Sequence, residues 1–277
     1  MSSKHTINIK GEIIDLSLPK VMGIINVTPD SFFIDSRKSV VSDVLERAEQ
    51  MLDDGATFLD IGGYSSRPGA EDISVEEELK RVIDPIGVLV KRFPEAIISI
   101  DTFRSEVARK AIDAGASMVN DISGGQLDTS MLVSIAEMNI PYIAMHMRGT
   151  PQTMKNLTDY EDPLNEIVKY LSSVIYDCNR LGIKDVIIDP GFGFAKTAEQ
   201  SFEILSKLDH FHRLDKPILV GLSRKSMIYR TLNLTAEEAL NGTSVLNSIA
   251  LLKGASILRV HDVKEAAEAI KLISKLS

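Results

Sequence analysis

The stretch "AIISIDTFRSEVARKAIDAGASMVND", residues 96–121, reads as one complete strand–helix–strand unit. Residues 96–100 form a short β-rich run whose apolar positions do not alternate, as expected of a parallel strand covered on both faces. "SEVARKAIDAGA" follows with helical patterning and closes at Gly115, a common helix stop. "SMVN" (117–120) then resumes as strand.

The same unit repeats in both directions. Upstream lie "VMGIIN" (21–26) and "TFLDI" (57–61). Downstream lie "PYIAM" (141–145), "DVIID" (185–189), "PILVG" (217–221) and "SILRV" (256–260). Helix-like segments such as "SVVSDVLERAEQMLDDGA" and "SVEEELKRVIDPIGVLVKRF" separate them. Eight such units fit a (β/α)8 TIM barrel of roughly 250 residues. A doubly wound sheet is the alternative, but it would use fewer strands and a glycine fingerprint in its first turn. The leading "HTINIKGEIIDLS" is expected to be a β-hairpin turning at Lys10-Gly11 and closing the barrel floor. No linker or composition shift interrupts residues 1–277, so one domain is expected.

Composition narrows the function. Of 277 residues, 44% are hydrophobic and 25% charged, ordinary values for a globular enzyme. The net charge of −8 argues against a broad nucleic-acid surface. No apolar stretch approaches the roughly 20 residues that span a bilayer. The first residues lack the apolar core of a secretory signal, and the single Cys178 fits a reducing cytoplasm. Cys178 sits in a helix-like segment and reads as an inert thiol.

Polar residues gather at the strand ends. Asn26, Asp60, Asp101, Asn120, Asp121 and Asp189 end or follow apolar runs, and "MHMRGTPQTM", "GLSRKS" and "RVHD" follow three others. In a barrel all of them reach the C-terminal mouth, where barrel enzymes place their chemistry. Asp121 and Asp262 also read as helix caps. Cations gather there too: Arg67 after the second run, Arg224 and Lys225 after the seventh, and Arg259 and His261 at the eighth. Arg259 and His261 are two apart on a strand and share a side. Basic groups on three loops of an acidic protein point to a phosphorylated or diphosphorylated substrate; scattered surface cations are the blander reading. "GFGFAKT" (191–197) fails as a phosphate loop, because Ala195 stands where glycine is required. His146 lacks partners at zinc-ligand spacing, and His210 and His212 fall at the opposite end of the barrel.

"MGIINVTPDSF", "DIGGYSSRPGA", "SIDTFRSEVA", "VNDISGG", "MHMRGTPQTM", "IIDPGFGFAKT", "GLSRKSMI" and "GASILRVHDV" closely resemble, in order, the strand-end segments of the dihydropteroate synthase family. The resemblance implies a transferase of folate biosynthesis on a (β/α)8 barrel, commonly a homodimer. It condenses a dihydropterin-methyl diphosphate with 4-aminobenzoate, releases diphosphate with Mg²⁺ present, and is the target of sulfonamides. It also implies roles for residues. Asp101, Asn120, Asp189 and Lys225 would bond the pterin, with Ile122, Met145 and Phe194 packing on it and Gly221 leaving it room. Asn26, Ser66, Arg67, Arg259 and His261 would hold the diphosphate, with Asn26 also placing Mg²⁺. Phe32, Ser66, Arg67, Pro68, Lys225 and Ser226 would line the 4-aminobenzoate slot. Asp101, Lys225, Arg259 and Asn26 would form the catalytic set.

Two departures stand out. Phe33, Ile34, Asp35 and Ser36 follow "PDSF" where Ser-Asp-Gly-Gly is common, and Tyr64 and Ser66 stand where Glu and Thr are common. Two rivals share much of the pattern: a catalytically silent pterin-binding paralogue, and a methyltransferase using methyltetrahydrofolate. The latter would not need "SSRPGA" or the Arg259/His261 pair.

Overall fold

The computed structural model describes residues 6–27, 37–66 and 69–276. Two antiparallel strands, β1 (Thr6–Ile9) and β2 (Glu12–Asp15), come first. They turn at Lys10 (φ 52°) and Gly11 (φ 93°), so the glycine occupies backbone space that L side chains avoid.

Eight parallel strands follow: β3 (Lys20–Asn26), β4 (Phe58–Gly62), β5 (Ile97–Asp101), β6 (Met118–Asp121), β7 (Tyr142–Met145), β8 (Val186–Asp189), β9 (Leu219–Val220) and β10 (Ile257–Val260). They pair in the order β8-β7-β6-β5-β4-β3-β10-β9. The ring closes through one isolated parallel bridge, Ile188 to Ile218. The fold is thus the (β/α)8 barrel read from the repeat.

Helices cover the outside: α1 (Arg37–Asp53), α2 (Val75–Arg92), α3 (Ser105–Asp113), α4 (Met131–Met138), α5 (Pro163–Leu181), α6 (Ala198–Ser206), α7 (Ser226–Thr231), α8 (Leu240–Leu252) and α9 (Val263–Ile273). Local chemistry starts and stops them. Ser74 caps α2 by accepting the Glu77 N–H, with three glutamates in the first turn. Thr197 and Gln200 form a reciprocal capping box on α6. Gly182, at φ 79°, ends α5. Among the described residues, no helix is long and apolar enough to cross a membrane.

The strand pleat sorts side chains into layers. Outward residues such as Val21, Leu59, Ile98, Val119, Tyr142 and Ile188 pack under the helices. Inward residues Met22, Phe58, Met118, Ile143, Ile187, Leu219 and Ile257 form the lowest interior layer. Ile7, Ile9 and Leu16 of the hairpin segment pack against this layer and cover the floor, as the sequence suggested. One pleat period higher, the interior becomes polar.

Candidate active site

Moving two residues along each strand from the floor layer converts Phe58 to Asp60, Met118 to Asn120, Ile187 to Asp189 and Ile257 to Arg259. Strand register sets these groups side by side. Asp60 pairs with Ser99, Gly62 with Asp101, and Asp101 with Asn120. A further pleat up, Asp101 and Asn26 flank Gly62: a Cβ there would lie 3.6 Å from both Asn26 Oδ1 and Asp101 Oδ2.

Arg259 organises the layer. Its Nε donates to Asp60 Oδ2 and its Nη2 to Asp101 Oδ2, each at 2.6 Å. Asn120 Nδ2 donates to the same Asp60 oxygen at 2.9 Å. Burial alone would weaken the guanidinium cation, but Asp60 and Asp101 more than offset this and hold it above its ordinary pKa. Burial pushes Asp101 up to about 7 against the attraction of Arg259. Asp60 Oδ1 and Ser99 Oγ are buried without a hydrogen-bond partner among the described residues. A buried carboxylate oxygen in that state is an acceptor waiting for a donor.

Across the barrel stand Asp189 and Lys225. Asp189 Oδ1 accepts the Gly191 N–H at 2.7 Å, and burial raises its pKa against the pull of Lys225. Lys225 precedes α7, donates to the Phe192 carbonyl and lies 4.9 Å from the Phe194 ring centre. Desolvation lowers it to about 8, with Asp189 opposing. A Cβ on Gly221 would sit 3.9 Å from Lys225 Nζ and 4.0 Å from Arg259 Cβ, so a larger side chain would enter the site. Ile122, Met145 and Phe194 share one apolar cluster with Met147, Met154 and Phe103 at the mouth.

His261 stands at the rim, where Ser223 Oγ accepts its backbone N–H (3.2 Å) and bonds Nδ1 (3.0 Å). Ser66 and Ser226 are half-buried. Phe32, Arg67 and Pro68, and with them most of the first loop, lie outside the described residues.

Three sequence readings need correction. Arg224 is held by groups of the protein itself. Its guanidinium forks onto Asp262 at 2.9 and 2.7 Å and also donates to the Ala236 and Glu237 carbonyls. Asp262 accordingly makes no side-chain cap to α9. Asp121 faces away from the interior; it anchors a loop by accepting from Ser123, Gly125 and the Tyr142 hydroxyl.

Two functional features went unassigned. The sequence marks Asp60 only as a polar strand residue, whereas the structure makes it the acceptor shared by Arg259 and Asn120. Its mid-strand position, two residues from Phe58, was the available signal. The second is Lys196, buried at the end of "GFGFAK". Its Nζ lies 2.9 Å from His146 Nδ1 and donates to the Gly191 and Phe194 carbonyls at 2.9 Å. It thereby ties the loops after β7 and β8 together behind Met145 and Phe194.

A barrel interior that is apolar below and lined above by carboxylates, an amide, an ammonium and a guanidinium suits a planar heterocycle rich in donors and acceptors. Residues 22–261 match the family model described as pterin binding enzyme. The chain belongs to this family of pterin-binding enzymes, and within it to the dihydropteroate synthases. It is 42% identical over 266 residues to the dihydropteroate synthase of Escherichia coli strain K12, covering 95% of this chain and 94% of the relative. The Synechocystis enzyme of that name is 44% identical over 259 residues, covering 92% and 89%. Among solved structures, Xanthomonas albilineans dihydropteroate synthase with 4-aminobenzoic acid superposes with a TM-score of 0.92 at 36% identity, covering 99% and 98%. A Yersinia pestis dihydropteroate synthase with a sulfonamide drug also gives 0.92, at 37% identity, covering 98% and 99%. The activity is that of a dihydropteroate synthase, a pterin-methyl transferase of folate biosynthesis.

Proposed function

We propose that the chain joins (7,8-dihydropterin-6-yl)methyl diphosphate to 4-aminobenzoate by losing diphosphate before the amine attacks. The observation that carries this reading is the Asp60–Arg259–Asp101 arrangement facing Asp189 and Lys225 across one interior. Asp189, Asn120 and Lys225 bond the pterin edge, and Asp60 Oδ1 supplies a further buried acceptor. Ile122, Met145 and Phe194 pack on the ring, and Gly221 leaves its volume open.

The methylene C–O bond breaks and its electron pair leaves with diphosphate. Arg259, His261 and Ser66 stabilise that departing charge, together with Arg67. Such stabilisation is strongest where charge grows in a water-poor site. Asp101 lies beside the electron-poor methylene and stabilises it. The 4-aminobenzoate nitrogen then forms the new C–N bond with its lone pair and gives up a proton to solvent. Phe32, Ser66, Arg67, Pro68, Lys225 and Ser226 line the slot for this second substrate, where a sulfonamide would compete.

The donor set suits Mg²⁺. The ion keeps several waters and is commonly bound through one or two carboxylates plus substrate phosphates, and the amide oxygen of Asn26 stands beside the Asp101 carboxylate at the mouth. Asn26 would hold it, and when bound it would neutralise charge on the leaving diphosphate. We further propose that residues 1–277 act as one pterin-binding domain, as a homodimer and in the cytoplasm.

The test is diphosphate release from the dihydropterin diphosphate with Mg²⁺, with and without 4-aminobenzoate. Release coupled to dihydropteroate formation is expected. Tight pterin binding with no release would overturn the reading in favour of a silent paralogue.

A further inference from the structure

A second linked set of side chains surrounds the mouth, and the reaction steps above do not use it. Tyr64 stands two residues beyond β4 and two before Ser66. It is buried, with its ring edge-on to Phe103 at 5.0 Å and 5.2 Å from the Arg104 guanidinium. Its hydroxyl donates to Asp72 Oδ1 (3.1 Å) and accepts from Gln152 Nε2 (2.8 Å). Arg104 donates to the same Asp72 oxygen (3.1 Å), to the Ile73 carbonyl (2.6 Å) and to the fully buried Glu78 (2.9 Å). Thr102 also donates to Glu78, at 2.7 Å.

The bonds cross between loops. Gln152 also donates to the Ala70 carbonyl, and the Gly69 N–H donates to the Pro151 carbonyl, each at 3.2 Å. Residues on both sides of the "SSRPGA" tip are therefore tied to the loops after β5 and β7. Tyr64 joins the two ties, because its hydroxyl touches Asp72 on one side and Gln152 on the other. The phenol gives a neutral donor and acceptor at once.

We propose that Tyr64 is a positioning residue for 4-aminobenzoate, holding Ser66 at the mouth before that substrate arrives. The proposal rests on the reading of Ser66 as a contact to the second substrate. A loop fixed beforehand does not spend binding free energy on its own ordering, so the effect belongs to one substrate and not to the pterin layer.

Tyr64→Phe deletes only the hydroxyl and keeps the ring on Phe103 and Arg104; Gln152→Ala deletes its partner. Steady-state kinetics with each substrate varied, alongside the thermal midpoint, tests the idea. Each variant removes two hydrogen bonds, of which the Tyr64–Gln152 bond is common to both, and is expected to raise the KM for 4-aminobenzoate about three- to tenfold. The KM for the dihydropterin diphosphate, kcat and the thermal midpoint should stay near the parent values. The double variant should be less impaired than the product of the two single effects, since both remove the Tyr64–Gln152 bond. An unchanged 4-aminobenzoate KM in either variant, additive effects, or a fall in kcat and midpoint without a KM change would overturn the proposal. A parent protein that forms no dihydropteroate would instead overturn the proposed reaction, so the two failures are distinguishable.

Discussion

Arg259 serves the two carboxylates that hold it as well as the anion proposed to reach it. With Nε on Asp60 and Nη2 on Asp101, removing it strands two buried negative groups. Arg259→Ala should therefore lower stability by about 3–5 kcal/mol, the usual effect of breaking a buried pair, as well as stopping turnover. Urea unfolding beside the activity assay checks this, and an unfolding midpoint at the parent value would contradict it. The pH profile is expected to follow Asp101 and Lys225, which burial pushes to about 7 and about 8. Asp101 becomes anionic as pH rises through its value, and Lys225 loses its charge as pH rises through its own. A bell-shaped kcat/KM profile is expected with limbs near those values, and Lys225→Arg should shift the alkaline limb upward while leaving the acid limb. Folding stability responds with its own sign: between about 8 and 10.5 the unfolded chain keeps the Lys225 proton that the folded chain has released. Stability from this group therefore rises with pH across that window. At this scale the inward residues were legible because strand ends and the two-residue pleat place them. The divergence of Arg224 from Lys225 was not. Arg224 adopts φ 55°, a backbone turn that the residue type does not announce.

At the scale of elements, the segment after β8 carries more structure than its sequence advertises. "GFGFAK" looked like a failed phosphate loop, yet Lys196 uses it to gather the Gly191 and Phe194 carbonyls and the His146 ring around one buried nitrogen. Gly191 is required here: at φ 72° its Cβ would fall 2.1 Å from the His146 carbonyl oxygen. Lys196→Met keeps the length of the side chain and removes every donor. It should cost about 2–4 kcal/mol, since buried carbonyls then lose their partner, measured as a shift in the denaturant midpoint. No periodicity or motif could show this contact, because it joins residues 50 positions apart. The strands and caps were legible for the opposite reason, since their determinants lie within a few residues of each other.

The whole molecule is a barrel with a dry floor and a polar ceiling one pleat apart. Ile7, 1% exposed, packs against the floor layer from the hairpin. Ile7→Ala should lower stability by about 2–5 kcal/mol while leaving pterin affinity near the parent value, because Ile7 packs against the apolar floor layer below the polar one. Calorimetric pterin binding on the folded variant, with its thermal midpoint, separates the two effects. The hairpin was legible from Lys10-Gly11 and its short apolar strands. The closure of the barrel was not, since it depends on how β8 and β9 meet. They meet at the bridge between Ile188 and Ile218, supported by the Ile188 N–H bonding the Pro217 carbonyl at 3.0 Å.

That seam lies directly beneath the site. Asp189 rises from one bank and Lys225 from beyond the other, and Lys225 already reaches across to the Phe192 carbonyl. A pterin gripped by both would work as a suture over the least stitched join of the wall. Ligand occupancy and the integrity of the cylinder then become one linked quantity, so the enzyme is mechanically most complete when it is loaded.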